Sequence, residues 1–202
     1  MGIDPFNQPD VEAAKIATRA LTDDYARTGK LAETKVLVES DGLKLFADEK
    51  YAATLGSVST AADAIKAHLA QLKPGDYFAS LAFIQNNQAH EDIIQQFRHK
   101  VRDAHRVATC LGFGPRFLHS TGQDYKGGPN TGVFLQITAD HAADLAIPDA
   151  KYTFGIVIAA QAAGDLAVLQ QRNRRALRVH LGADIPAGLA TLNRLIDAAL
   201  AS

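Results

Sequence analysis

The sequence predicts an α/β fold, a three-layer αβα sandwich built around a mostly parallel sheet. Three segments are predicted to be strands: DYFASLAFI at 76–84, which is an almost continuous apolar run, GVFLQIT at 132–138 and ALRVHL at 176–181. Such continuous runs are typical of parallel strands, because helices cover both faces of a parallel sheet. Helix-forming segments alternate with these strands, which is the pattern of layered α/β domains. With 202 residues and 47% apolar content, the chain can bury one substantial core.

The first helix is predicted to run from Pro9 to about Thr28. Proline suits the first helical turn, where its missing N–H is not needed. Apolar and aromatic side chains recur at helical spacing, at Val11, Ala14, Leu21 and Tyr25. Gly29 follows them and is expected to end the helix.

Residues 30–57 read as a small β-hairpin insertion. Within them, ETKVLVESDGLKLFA at 33–47 contains two short alternating runs joined by Ser40-Asp41-Gly42. The Asp-Gly pair favours a tight hairpin turn. A second helix is predicted to begin at Thr60, a good N-cap residue, and to stop at Pro74-Gly75.

The rest of the chain is predicted to continue the α/β pattern. A long helix is expected over 89–111, with an apolar stripe formed by Ile93, Ile94, Phe97, Val101 and Ala108. RFLH at 116–119 is predicted to be a strand, and further helices are expected at about 154–173 and 186–200. Because no Pro/Ser-rich linker or low-complexity tract interrupts the pattern, we expect one domain over residues 1–202.

The composition argues against several classes of partner. The formal net charge of −1 and the pI near 6.6 leave no overall basic field, so we expect neither nucleic acid nor a membrane as a partner. The single cysteine, Cys110, cannot form an internal disulfide. No leader and no apolar run of about 18 residues is evident, so a cytoplasmic protein is expected.

A polar, glycine-rich stretch between two predicted strands is the first candidate site. It carries His119, Ser120, Gln123 and Lys126, and ligands of open α/β sheets bind beyond the carboxyl ends of strands. The glycines of this stretch could turn backbone N–H groups toward an anion, but they are equally typical of plain tight turns. The histidines show no metal-ligand spacing, so no metal site is expected, and His90, His99 and His105 are predicted to be exposed on a helix and are assigned no role.

Lys15 is the second candidate. It follows Val11 by four residues, about 40° around the helix, and therefore lies at the rim of the apolar stripe. A lysine at that position can reach toward a cleft. Glu12 is three residues earlier, so an ordinary surface ion pair is the competing interpretation.

The segment PFNQPDVEAAK at 5–15 resembles the carboxy-terminal signature of glucose-6-phosphate isomerases, Pro-Phe-Asp-Gln-Pro-Gly-Val-Glu-x-x-Lys. It departs from that signature at Asn7 and Asp10. In this family the lysine helps to open the sugar ring, so the resemblance implies that role for Lys15, with Gln8 close to the ligand.

The segment LHSTGQDYKGG is similar to the His-Ser-x-Gly-Gln segment of the same family. The resemblance implies that His119 is a ring-opening acid/base contributed from the neighbouring subunit of a homodimer, with Ser120 and Gln123 contacting a hexose 6-phosphate. Histidine titrates near neutral pH and suits a proton transfer between two sugar oxygens. No metal or organic cofactor is required for such chemistry.

Nearly the whole chain resembles the tail of fused transaldolase/glucose-6-phosphate isomerase polypeptides. In ordinary isomerases the histidine segment precedes the lysine helix, whereas here it follows. The resemblance therefore implies a sugar-isomerase-like domain that is circularly permuted, with residues 186–200 near residues 3–15. Chain termini commonly lie close together at the surface, which makes such a permutation physically inexpensive.

Two parts of an aldose–ketose isomerase are absent from the sequence. The family's glutamate base and its Ser/Thr-rich phosphate turns have no counterpart here, and Glu12 is not at the position of that base. We therefore expect the chain to need an upstream isomerase domain, with or without a transaldolase before it, and to be inactive alone. Two alternatives stay open: a non-catalytic sugar-phosphate sensor, and a dimerisation module whose interface is the 89–111 helix.

Overall fold

The computed structural model describes residues 7–32, 34–118, 121–141 and 143–201. The helices are α1 (Pro9–Thr28), α2 (Glu49–Leu55), α3 (Ala61–Leu69), α4 (Gln88–His105), α5 (Thr121–Gly127), α6 (Phe154–Gln171) and α7 (Ile185–Leu200). The strands are β1 (Val38–Ser40), β2 (Leu43–Phe46), β3 (Tyr77–Phe83), β4 (Ala108–Phe113), β5 (Gly132–Thr138) and β6 (Arg175–His180). These elements form the predicted three-layer α/β sandwich.

One six-stranded sheet forms the middle layer, in the order β1-β2-β6-β5-β3-β4. Strands β6, β5, β3 and β4 are parallel, so their carboxyl ends meet at one edge. The connection after β3 leads through α4 to β4 on one side, whereas the connection after β5 leads through α6 to β6 on the other. The direction of winding therefore changes between β3 and β5.

The predicted hairpin continues this sheet as its edge. Its turn residues, Asp41 and Gly42, both have positive φ angles, 54° and 75°, as a type I′ turn requires. Strand β2 pairs antiparallel with β6. The segment 30–57, which the sequence indicated was an insertion, thus adds two strands to the main sheet.

The two helical layers bury different faces of the sheet. Helices α3, α4 and α7 pack together over one face, and α1, α5 and α6 pack over the other. Helices α1 and α6 lie close together at Gly164 of α6. A Cβ added at this glycine would lie 2.6 Å from the hydroxyl oxygen of Thr18 on α1. By length and composition α6 could also cross a membrane, but it packs here as a core helix with the carboxylate of Asp165 fully buried.

Several predicted elements have nearly their predicted bounds. Helix α1 begins at Pro9 and ends at Thr28, and Gly29 follows in the left-handed conformation with φ 73°. Thr60 is the N-cap of α3, where its side chain accepts a hydrogen bond from the backbone N–H of Asp63. Strands β3, β5 and β6 and helices α6 and α7 differ from the predicted ranges by at most two residues at either end.

The prediction of one helix over 89–111 was wrong at its carboxyl end. Helix α4 stops at His105, because Arg106 adopts the left-handed conformation with φ 53°. Ala108, assigned to the helical stripe, instead begins β4, which pairs in parallel with β3. The strand predicted at 116–119 was also wrong, since Arg116–Leu118 form a 3-10 turn after Pro115.

The expected neighbours of the two chain ends are only partly described, because residues 1–6 lie outside the described part. Helix α7 lies in the layer with α3 and α4, and α1 lies in the opposite layer. They therefore do not pack side by side in the way that placing residues 186–200 near 3–15 suggested. Both α7's end and α1's start lie at the amino edge of the sheet, as ion pairs of Asp197 with Lys100 and of Asp10 with Arg172 indicate.

Candidate functional site

Lys15 lies in a groove on the outer side of α1. Its ammonium is 2.6 Å from the Glu12 carboxylate, and both side chains are about half exposed (49% and 56%). The groove has a volume of about 470 Å³ and runs between α1, α6 and the turn that follows β4. We call it the Lys15 groove; its lining includes Lys15, Thr18, Pro115, Leu118, Tyr152 and Gln161.

The sequence places Lys15 there through simple packing. Val11 and Ala14 are buried against α6, which fixes the rotation of α1. Lys15, the next residue after Ala14, is carried to the border of that contact. The predicted ion pair with Glu12 is present, and because both groups are half exposed it contributes little to stability. The amine therefore remains accessible to a ligand.

His119 and Ser120 lie outside the described residues. Leu118, which directly precedes His119, lines the Lys15 groove. The described residues directly before His119, Arg116–Leu118, form a 3-10 turn in place of the predicted strand. The strand in this part of the chain is β4, which ends at Phe113.

Gln8 and Gln123 are not brought together in the groove. Gln8 is exposed and precedes α1 as its N-cap residue, without a side-chain capping bond. Gln123 lies on α5, where its amide nitrogen donates to Oδ2 of Asp10 over 2.9 Å and its amide oxygen accepts from the Asp10 backbone N–H over 3.0 Å. Gln123 thus joins α5 to the start of α1.

Asp10 is a functional candidate only as a positioning residue, and sequence reasoning did not single it out for that role. Its carboxylate is buried and pairs with Nε of Arg172 over 2.6 Å. A Cβ on Gly127 would lie 2.6 Å from Oδ2 of Asp10, so the glycine leaves room for this contact. Asp10 thus anchors the start of α1 to α5 through Gln123 and to the end of α6 through Arg172.

Lys126 is not displayed on a ligand-binding loop as the sequence indicated. It is 1% exposed and its ammonium faces the carboxylate of Asp165, which is fully buried on α6. Burial raises the pKa of Asp165, and the neighbouring Lys126 opposes that rise. The Lys126 carbonyl accepts a hydrogen bond from Arg174, which also donates to the Gly128 carbonyl over 2.6 Å. These contacts fix residues 121–128 as a helix and its exit, not as an open glycine loop.

A second polar cluster at the carboxyl ends of β5 and β6 escaped the sequence analysis. The Thr138 hydroxyl lies 3.1 Å from Nδ1 of His180, and Nε2 of His180 lies 3.3 Å from the Asp140 carboxylate. Burial lowers the pKa of His180, while Asp140 acts in the opposite direction. The signal in the sequence was the polar alternation of Gln136 and Thr138 within an apolar strand, which the continuous-run interpretation overlooked.

The remaining histidine predictions concern α4 and its neighbourhood. His90, expected to be exposed, is 6% exposed, and its Nδ1 lies 2.8 Å from the Gln85 carbonyl oxygen. It therefore packs as a structural side chain at the start of α4. Within the described residues, no group of three or more His, Cys, Asp or Glu side chains is placed to hold a metal ion.

Comparisons with known proteins show the fold alone. No family model matches the chain, and no curated protein matches it. Among solved structures, the crystal structure of the hypothetical protein TT0462 from Thermus thermophilus is similar, with a TM-score of 0.59 and 12% identity. The match covers 75% of this chain and 42% of that protein, so this chain spans less than half of its length.

Proposed function

We propose that this chain is the carboxy-terminal part of a glucose-6-phosphate isomerase and supplies groups that open the sugar ring. The support comes from two resembling segments, PFNQPDVEAAK and LHSTGQDYKGG. The observation that carries the proposal is that Lys15 of the first segment and Leu118 of the second line the same groove. Two segments more than a hundred residues apart thus border one cavity large enough for a hexose phosphate.

Ring opening requires a proton to leave the O1 hydroxyl and a proton to reach the ring oxygen, O5, as the C1–O5 bond breaks. The Lys15 ammonium is a donor that can hold the ring oxygen or a neighbouring hydroxyl, and it has Glu12 as its present partner. His119 is proposed as the acid/base that accepts one proton and returns the other. In the resembling family this histidine comes from the neighbouring subunit, so the proposed assembly is a homodimer.

The isomerisation itself requires a base to move a proton between C1 and C2 through an enediol. The proposed source of that base and of the phosphate site is an upstream isomerase domain, preceded or not by a transaldolase. The reaction would interconvert glucose 6-phosphate and fructose 6-phosphate, in the cytoplasm, by side-chain proton transfer without a cofactor.

The dimerisation alternative receives no support from α4. Ile94, Phe97 and Val101, which form the apolar stripe of that helix, are fully buried in the core and are not free to form an interface.

The sensor alternative differs from the proposal in one measurable respect. A sensor binds hexose 6-phosphate alone, whereas an incomplete enzyme gains affinity when the missing domain is supplied.

Calorimetric titration of the purified chain with fructose 6-phosphate tests this difference. The titration is run alone and with the amino-terminal isomerase domain of a transaldolase/glucose-6-phosphate isomerase fusion, followed by a coupled assay of glucose 6-phosphate formation. We expect binding and turnover only with the added domain. Tight binding by the chain alone without turnover after completion would support the sensor, and turnover by the chain alone would refute the division of labour.

A further inference from the structure

A groove at the carboxyl edge of the sheet is separate from the Lys15 groove. It consists of two adjoining cavities, of about 440 Å³ and 610 Å³. Both cavities are lined by Thr34, Thr138, Asp140, Arg178 and His180. We call it the β5–β6 groove, because the side chains at its floor come from the ends of those two strands.

Strand register places the polar side chains of this groove in two rows. Arg178 of β6 is opposite Gln136 of β5 and Phe46 of β2. One pleat closer to the edge, His180 is opposite Thr138 and Lys44. Because alternate residues of a strand share a face, these two rows lie on the face of the sheet that α6 covers.

Arg178 is a largely buried guanidinium whose hydrogen-bond partners are neutral. Its Nε donates to the Gln136 side-chain oxygen over 2.7 Å, and its Nη2 donates to the Ala162 carbonyl over 3.0 Å. No carboxylate among the described residues forms an ion pair with it, and its Nη1 makes no hydrogen bond to them. Burial lowers the pKa of Arg178 to about 10. A buried cation in this state is stabilised when an anion reaches it.

The acidic groups of the groove do not neutralise Arg178. Asp144 accepts hydrogen bonds from the Thr153 hydroxyl and from the backbone N–H groups of Leu145 and Gly155. Asp140 lies beside His180, and its side chain is 65% exposed, so it can turn to solvent. The fully buried carboxylate of Asp165 also attracts Arg178, but its ion pair is with Lys126.

The topology independently marks this edge as a ligand site. The winding reverses between β3 and β5, and in open α/β sheets ligands bind in the crevice outside the carboxyl ends at such a reversal. Phe83 and Thr138, the last residues of those two strands, both line the 440 Å³ cavity of the groove. Apolar side chains from α6, Ile158 and Ala159, form the wall facing them.

We propose that the β5–β6 groove binds a small organic anion, with its phosphate or carboxylate at Arg178 and Lys44 and its carbon body against Phe83 and Ile158. The Thr34 and Thr138 hydroxyls provide further donors to the anionic oxygens. The cavity volumes lie in the range typical of small-molecule sites. This site does not depend on the ring-opening function of the Lys15 groove and uses none of its residues.

Titration of the chain with phenyl phosphate, benzoate, inorganic phosphate and uncharged phenol tests the proposal. Isothermal calorimetry is paired with NMR shift mapping of the Ala159 and Ala162 methyl groups. We expect saturable binding of phenyl phosphate or benzoate, weaker binding of inorganic phosphate and none of phenol. A preference for phenyl phosphate assigns a phosphate ligand, and a preference for benzoate assigns a carboxylate.

Two variants in the groove and two control variants elsewhere locate the binding. Lys44 lines the 610 Å³ cavity, and its ammonium lies 3.7 Å from the exposed Glu39 carboxylate. Lys44→Ala removes this half-exposed charge and is expected to weaken binding about fivefold, because an anion loses one charged donor. Arg178→Lys, which keeps the charge but loses the planar fork, is expected to weaken it by more than tenfold. Lys66→Ala on α3 and Lys15→Ala on α1 change equivalent charges elsewhere and are expected to leave the affinity unchanged.

Two results would overturn the proposal. One is the absence of saturable binding by both aromatic anions to a chain whose thermal unfolding is normal. The other is a set of affinity losses that does not locate the ligand in this groove. Such a set is an equal loss in Lys44→Ala and Lys66→Ala, or a loss in Lys15→Ala that is larger than the loss in Lys44→Ala. Since Lys44 is on the surface, its variant remains informative even where Arg178→Lys does not fold.

Discussion

At the scale of single residues, the Lys126 ammonium and the Asp165 carboxylate face each other beneath α6, almost without exposure to solvent. Removing both charges from water is costly, and their mutual attraction offsets that cost only while both are present. The pair holds α5 against α6. Its role is structural, although the lysine stands within a motif-like stretch.

We predict that Lys126→Met destabilises the protein by about 3–5 kcal/mol, because it leaves the Asp165 carboxylate buried without its ion-pair partner. The double variant Lys126→Met with Asp165→Leu should recover most of that loss, since neither charge of the pair is left buried without the other. Urea unfolding of the two single variants and the double variant measures the coupling. Additive losses in the double variant would show that the two groups do not stabilise each other.

Asp10 is the second residue whose environment predicts an effect. We expect Asp10→Ala to lower the free energy of unfolding by about 1–2 kcal/mol, because Gln123 loses a hydrogen-bond acceptor and Arg172 loses its counterion. Asp23→Ala, an exposed position on the same helix, is the matched control and should change stability by less than about 0.5 kcal/mol. Equal effects in thermal or urea unfolding would remove Asp10 from its anchoring role.

At the scale of elements, strong periodicity made the sequence predictive. Helix α1 has a proline at its start, a glycine after its end and a regular stripe between them, and its predicted range, Pro9 to about Thr28, agrees with the observed one. The segment 106–113 carried no such signal, because ATCLGF is too short to distinguish a buried strand from helix by its pattern. Arg106, which is in the left-handed conformation, separates α4 from β4. Its residue type, arginine, does not predict that conformation.

The contact between α2 and α3 predicts a pH effect. Burial lowers the pKa of His68 to about 3, and its Nδ1 lies 2.7 Å from the Tyr51 hydroxyl. In the unfolded chain histidine titrates near pH 6.5, so between about pH 6.5 and 3 the unfolded state binds a proton that the folded state does not. The contribution of the neutral, buried His68 to the free energy of unfolding is therefore complete above about pH 6.5 and is lost as the pH falls toward 3.

We therefore expect this one histidine to lower the free energy of unfolding by about 1.4 kcal/mol per pH unit between pH 6 and 4. In His68→Gln that component should vanish, so the stability difference between variant and wild type should shrink as the pH falls. His99→Gln, at an exposed position on α4, is the control. A difference between wild type and His68→Gln that stays constant from pH 7 to 4 would contradict the burial argument.

At the scale of the whole molecule, two grooves lie on the same helical layer and differ in what the sequence could reveal. The Lys15 groove could be predicted in part from the sequence, because helical spacing places Lys15 at the rim of a buried stripe. The β5–β6 groove could not be predicted from the sequence, because only the strand register brings Arg178 and His180 opposite Gln136 and Thr138. The anchoring of Gln123 by Asp10 was also hidden, since it joins segments 113 residues apart.

The proposed function depends above all on Lys15 serving sugar-ring opening in an enzyme completed by another domain. The direct measurement is the rate of fructose 6-phosphate conversion by the chain joined to that amino-terminal isomerase domain, for wild type, Lys15→Ala and the surface control Lys66→Ala. Loss of a positioned charged donor to the ring oxygen should lower kcat by about 100-fold or more in Lys15→Ala alone. Equal rates for Lys15→Ala and Lys66→Ala, in a completed enzyme that turns over, would contradict this role.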